Sequence, residues 1–183
     1  MIAYKGFNPG LQCLGYQFVM GRNETDKANC RENGFHCAEN PLDCLCYYRD
    51  LNRSEYYIVN AGGDIDEDEY DSKIACTEIT ILKKLEKQEL FLHGLAYMAD
   101  HPLREWNSYV SKGNAQASGG FAVVRGTDPV AMGKTGDILA FAKEEPDTGK
   151  IVQVSVTLVD GKIILPDTWY DVNLEERKVV KLR

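Results

Sequence analysis

The chain has 183 residues, 44% of them hydrophobic and 27% charged, with a formal net charge of −7. That length suits one domain or two small subdomains, and the composition excludes wholesale disorder, collagen-like repeats and a long coiled coil. No apolar run approaches the roughly 20 residues that cross a bilayer, and Met1-Ile2-Ala3-Tyr4-Lys5 lacks a signal-peptide apolar region, so a cytoplasmic protein is expected.

The charge is unevenly placed. Residues 1–110 carry 11 Lys/Arg against 18 Asp/Glu, whereas residues 111–183 carry 10 of each. A protein that binds nucleic acid directly shows a basic surplus that displaces counterions from phosphates. The surplus here has the opposite sign, so no direct sequence-specific nucleic-acid binding is expected. An acidic half is attracted instead to basic surfaces, including those of proteins that themselves hold nucleic acid; the plainer reading is charge that maintains solubility. The change of texture predicts an acidic α+β subdomain over 1–110 and a β-rich subdomain over 111–183.

Taken in chain order, Ile2–Phe7 alternates as a strand, and Asn8-Pro9-Gly10 ends it in a turn. Residues 11–33 are polar and irregular, with a helix candidate over Asp26–Glu32. After the break at Asn33-Gly34, Asn40-Pro41-Leu42-Asp43 predicts a helix start, with Asn40 as cap, Pro41 in the first position and Asp43 near the positive end of the dipole. That helix runs to Tyr47-Tyr48. Tyr56–Val59 reads as a strand ended by Gly62-Gly63, Ile74–Leu82 as a second, and Leu85–Asp100 as a helix stopped by Pro102.

Beyond residue 111, Gly119, Gly126 and Gly133 recur every seven residues, with Ala117, Val124 and Ala131 two places before each. A glycine in every heptad disfavours a coiled coil, which leaves stacked β turns or irregular Gly-rich loops. Ile138–Lys143, Ile151–Val159 and Lys162–Leu165, separated by Pro146–Gly149 and Asp160-Gly161, predict an antiparallel meander, with Val179–Leu182 as an edge strand. The expected fold class is therefore α+β: a small N-terminal sheet with two helices, a short Gly/Ala-rich repeat and a C-terminal antiparallel β meander.

The six cysteines, Cys13, Cys30, Cys37, Cys44, Cys46 and Cys76, lack paired Cys-x-x-Cys knuckles. In a reducing compartment they read as core thiols rather than disulfides or a zinc site. No phosphate-binding loop, His-Glu-x-x-His or Gly-x-Ser-x-Gly pattern is present, and His36 beside Cys37 in extended chain points away from it. No metal, cofactor or catalytic residue is assigned. The segment Asp64–Asp71 sets Asp64, Asp66, Glu67, Asp68, Glu69 and Asp71 within eight residues. It lacks the glycine at position six and the glutamate at position twelve of a calcium loop. It reads as a solvated loop, or as a partner-binding surface whose charge density approaches that of a duplex backbone.

Two resemblances add to this. Tyr4-Lys5-Gly6 followed by Gly34-Phe35-His36 loosely resembles the strand start and aromatic turn of ADP-ribosyltransferase-like enzymes, with Glu78 as the positional counterpart of their glutamate. Across nearly the whole chain, Tyr4-Lys5-Gly6-Phe7, Gly34-Phe35-His36, Glu39–Asp43, Tyr47-Tyr48, Asp71-Ser72-Lys73, Val159-Asp160-Gly161 and Pro166–Tyr170 resemble an uncharacterised family encoded by phages and prophages of gut bacteria. Within it the chain is similar in length and character to type II-A anti-CRISPR proteins of gut Clostridia. That resemblance implies a non-enzymatic inhibitor acting in the host bacterial cytoplasm. Its partner would be a type II CRISPR effector nuclease, alone or with guide RNA, whose target recognition or cleavage it blocks; no membrane is involved. The alternatives are a transferase-like enzyme and a phage structural or assembly protein.

Overall fold

In a computed structural model that describes residues 1–30, 32–67 and 72–178, β1 (Ile2–Phe7) sets Ala3, Lys5 and Phe7 on one face and Tyr4 and Gly6 on the other. Ala3 and Phe7 enter a core with Phe18, Phe35, Val59, Ile79 and Ile81. Asn8 and Gln12 then exchange backbone hydrogen bonds across the expected turn. The helix predicted over Asp26–Glu32 does not form among its described residues. Residues 11–33 instead supply the tiny hairpin of β2 (Gln12–Cys13) and β3 (Tyr16–Gln17) and then β4 (Gly21–Glu24).

The remaining strands of this unit are β5 (Phe35–Ala38), β6 (Glu55–Glu67) and β7 (Lys73–Leu85). β7 pairs antiparallel with β4 and β5 along one edge and with β6 along the other. β6 pairs with β1 from Phe7↔Glu55 to Ile2↔Asn60, and β1 returns to β5 through the single position Tyr4↔Ala38. β1, β5, β7 and β6 thus close a ring around the core, with one weak seam. Asn40 caps the next element as its sequence indicates, its Oδ1 accepting the Leu42 amide at 3.1 Å. The element is nevertheless a six-residue 3-10 helix, Pro41–Cys46. Asp43 spends its carboxylate on the Ser72 amide and hydroxyl, at 3.2 and 2.6 Å.

β6 does not stop at Gly62-Gly63. Its pairing jumps from Gly62↔Glu78 to Ile65↔Cys76, so Gly63 and Asp64 together oppose Thr77 in a bulge. Gly63 takes φ +69°, and a Cβ there would lie 2.1 Å from Thr77 Oγ1.

The chain divides between Leu90 and Phe91 into two compact units, Met1–Leu90 and Phe91–Arg183; the boundary falls within α1 (Lys87–Asp100). α1 starts two residues after the predicted Leu85 because β7 continues that far, and Glu89 caps it by accepting the Glu86 amide at 2.8 Å. The second unit is built from β8 (Val110–Gln116), β9 (Phe121–Met132), β10 (Ile138–Glu144), β11 (Ile151–Leu158), β12 (Trp169–Asp171) and β13 (Glu176–Arg177). β8, β9 and β10 run parallel, with Val110, Val123 and Ala140 in one row and Ser111, Val124 and Phe141 in the next. The links 117–120 and 133–137 are too short for ordinary parallel crossovers.

The chain therefore coils. Each pass bends midway, at Gly113 or at residues 126–129, where the register jumps from Lys112↔Arg125 to Asn114↔Val130. The seven-residue glycine spacing is half a coil, alternating between corner (Gly119, Gly133) and bend (Gly126). Small residues sit there because the passes stack closely: a Cβ on Gly133 would lie 3.1 Å from that of Ala117.

The expected fold class is overturned. The protein is mostly β with several sheets, and α1 is the one helix of seven or more residues among the described residues. No helix there is long and apolar enough to cross a membrane. The meander survives only as the β10–β11 hairpin. Asp160 Oδ1 accepts the amides of Lys162, Ile163 and Ile164 at 2.8, 2.9 and 3.0 Å, which curls that segment instead of extending it. β12 then pairs antiparallel with β9 and with β13. Val179–Leu182 lies outside the described residues.

Arg125, 2% exposed, anchors the second unit. It binds Glu144 at 2.6 Å and the Pro102 and Gly149 carbonyls at 2.8 and 3.0 Å, with Trp106 against its plane. Glu144→Ala strands this guanidinium without a counterion and is expected to cost about 3 kcal/mol in chemical denaturation. Gly34 (φ +88°) packs so closely that a Cβ would lie 2.8 Å from the Ala28 backbone, whereas Gly10 (φ +79°) faces open space. Gly10→Ala should therefore cost about 1 kcal/mol and Gly34→Ala about 3 kcal/mol, read from the same melts.

Candidate functional site

The weak seam is where the N-terminal unit opens. Continued antiparallel register would bring Gly6 opposite His36, but β1 and β5 pair only at Tyr4↔Ala38. A cleft of about 930 Å³ lies here, lined by β1, β5, the 3-10 helix and the β2–β3 hairpin. Lys5 shares the inward face with Ala3 and Phe7, and its ammonium takes the acceptor that the strand ladder leaves open. Nζ donates to the His36 carbonyl at 2.6 Å, lies 3.8 Å from Cys13 Sγ, and sits 5.2 Å from the centres of the Phe7 and Phe18 rings.

Tyr48 covers the outer side. A Cβ on Gly6 would lie 2.5 Å from its ring, its hydroxyl donates to Cys13 Sγ at 3.0 Å, and the Tyr56 hydroxyl holds its carbonyl. Tyr47 forms the rim, with the Lys73 ammonium donating to its hydroxyl and lying 4.3 Å from its ring centre. Asp43 also lines the cleft, but its carboxylate already serves Ser72.

The electrostatics inside are the reverse of the unit as a whole, which carries 10 Lys/Arg against 16 Asp/Glu over residues 1–90. Burial, followed by the charges of Lys5 and Lys73, holds the His36 imidazole below its ordinary range. Burial pushes Cys44 up to about 12. Cys37 is raised by its hydrogen bond with Cys76 and by burial in the core, so both Cys37 and Cys44 stay neutral thiols. All six cysteines are free of disulfides. Among the described residues no three His, Cys, Asp or Glu side chains gather as a metal site.

The acidic segment is placed differently from a loop. Asp64 lies in the bulge, and Asp66 and Glu67 lie in the exposed end of β6 beyond it, Ile65, Asp66 and Glu67 paired with Cys76, Ala75 and Ile74. Asp66 accepts the Cys30 amide at 2.6 Å and so ties the ribbon to the preceding loop. Asp68, Glu69 and Asp71 lie outside the described residues. Glu78, the glutamate suggested by the transferase resemblance, binds Arg22 at 3.0 Å and is absent from the cleft lining.

Of the residues singled out in the sequence, Tyr4 and His36 do meet in one cleft; Lys5, Lys73 and Cys13 were not assigned to it. The signal for Lys5 was its position between Ala3 and Phe7, an ionisable residue on the apolar face of an alternating strand. Lys73 carries no comparable local signal.

His36 gives the cleft a pH signature. The folded state binds its proton less readily than the unfolded chain, so His36 lowers stability as pH falls below its unfolded value of about 6.5. The wild-type melting temperature should drop from pH 7 to pH 5 by more than that of His36→Asn, the difference being this group's share.

A family model described as a domain of unknown function (DUF7666) matches residues 1–93. No curated protein and no solved structure matches the chain. The matched segment contains the whole ring of strands and every residue of the cleft, and over that half the chain belongs to the DUF7666 family.

Proposed function

We propose that this protein is a binding inhibitor rather than an enzyme, and that it docks on a type II RNA-guided effector nuclease to block target recognition or cleavage. The resemblance to phage- and prophage-encoded anti-CRISPR proteins supports this partner. The observation that carries the docking mode is the acidic end of β6, where Asp64 and Glu67 stand exposed on a paired strand. An effector of this kind grips guide and target in basic channels. A negatively charged ribbon is steered to such a channel and competes there with the DNA backbone, more weakly as salt screens exposed charge. Paired strand suits the role better than loose loop, because less conformational entropy is lost on docking.

The second reading, a transferase-like enzyme, is favoured by the meeting of Tyr4, Lys5 and His36 in one cleft. Titrating target-DNA cleavage by the effector–guide complex separates the two. Inhibition saturating near equimolar ratio, with intact masses unchanged, is the expected result. Asp64→Asn, Glu67→Gln, Asp68→Asn and Glu69→Gln together, with Asp66 kept for its Cys30 contact, should weaken inhibition about tenfold and flatten its salt dependence. Full potency in that variant removes the ribbon from the reading. Sub-stoichiometric inhibition with added mass on the effector turns the assignment to the enzyme, and no inhibition at large excess overturns both.

A further inference from the structure

Two buried cations stand out among the described residues, and they are treated differently. Arg125 in the second unit has a carboxylate, two carbonyls and an indole around it. Lys5 is nearly as buried, at 4% exposure, yet its partners are one carbonyl, a distant thiol and two aromatic faces. No carboxylate of a described residue pairs with it. A buried ammonium without a counterion is costly, and the one carboxylate among the described residues lining the same cleft, that of Asp43, is held by Ser72.

Lys5 and both of its polar partners, Cys13 and His36, line the cleft. A second ammonium, that of Lys73, stands at the Tyr47 rim. Tyr4, His36, Tyr47 and Tyr48 are among the ring-bearing residues that line the cleft, and its volume matches that of small-molecule sites.

We infer that the cleft is a binding site for a small planar organic anion, an aromatic or heterocyclic ring joined to a carboxylate or phosphate. Its negative group completes the coordination of Lys5 while its ring lies against Tyr47 and Tyr48. His36, held neutral, adds no charge of its own near pH 7 and leaves the two ammonium groups to select the anion. The site lies wholly in the DUF7666 segment and does not depend on docking by the acidic ribbon, so either can fail without the other.

The test is calorimetric titration of the full chain, kept reduced, with six probes. AMP and indole-3-acetate join a ring to a phosphate or a carboxylate and distinguish the two anion sources; adenosine with inorganic phosphate, and indole with acetate, are their respective separated halves. At least one joined probe should bind saturably, tenfold or more tighter than either half, and raise the melting temperature. Lys5→Met should abolish that binding; the variant also loses the donor to the His36 carbonyl, so a modestly lower unliganded melting temperature is expected of it. Should Lys5→Met not fold, Tyr47→Ala at the rim decides: it should weaken the joined probes and leave inorganic phosphate unaffected. Absence of saturable binding by both joined probes at millimolar concentration overturns the inference. So does binding that survives Lys5→Met, or joined-probe affinity that Tyr47→Ala leaves unchanged.

Discussion

The bond from the Lys5 ammonium to the His36 carbonyl is the contact on which the N-terminal unit turns. A ring of β1, β5, β7 and β6 has no free edges except where two strands fail to pair, and here the failure is between β1 and β5. An unpaired buried carbonyl at that seam would forfeit its hydrogen bond, so a side chain supplies the donor in place of a backbone amide. The substitution has a consequence. A backbone amide brings no net charge, whereas Lys5 brings a full one into an interior otherwise lined by Phe7, Phe18 and Phe35. Closure of the ring, opening of the cleft and the positive character of that cleft inside an acidic unit are three results of one arrangement.

Around the seam the chain is held by contacts between segments distant in sequence. Asp43 and Ser72 join the 3-10 helix to the start of β7; Tyr48 reaches both Gly6 and Cys13; Asp66 holds the Cys30 amide. In the second unit the corresponding device is Arg125, which gathers Pro102, Glu144 and Gly149 from three separate segments. The two units solve buried charge in opposite ways, one by internal neutralisation and one by leaving the charge beside a cleft. That contrast is physical grounds for expecting a ligand in the first and a structural role in the second.

Much of the local structure was legible. Ile2–Phe7, the turn after it, the Asn40 cap, the helix that ends at Asp100 and the hairpin around Pro146–Gly149 all follow from period, capping and turn chemistry. What misled was context. Gly62-Gly63 reads as a strand end, yet a bulge opposite Thr77 carries β6 onward and pairs Ile65, Asp66 and Glu67 of the acidic segment with β7. Asp160-Gly161 reads as a hairpin turn, yet the Asp160 carboxylate collects three amides and curls the chain. β2, β3 and β4 are too short and polar to show any period at all.

By itself the sequence determined the chemistry of each segment: which residues are apolar and at what spacing, where glycine frees the backbone, where negative charge collects. It also placed Lys5 on an apolar face, because alternation along a strand is a local property. Tertiary structure decided everything that depends on which segment meets which. The closing of four strands into a ring, the half-coil meaning of a seven-residue glycine spacing, and the gathering of Lys5, His36, Tyr47 and Lys73 around one cleft all rest on pairings between residues far apart in the chain. Such pairings are selected by burial and backbone hydrogen bonding summed over the whole fold, and no window of sequence contains both partners.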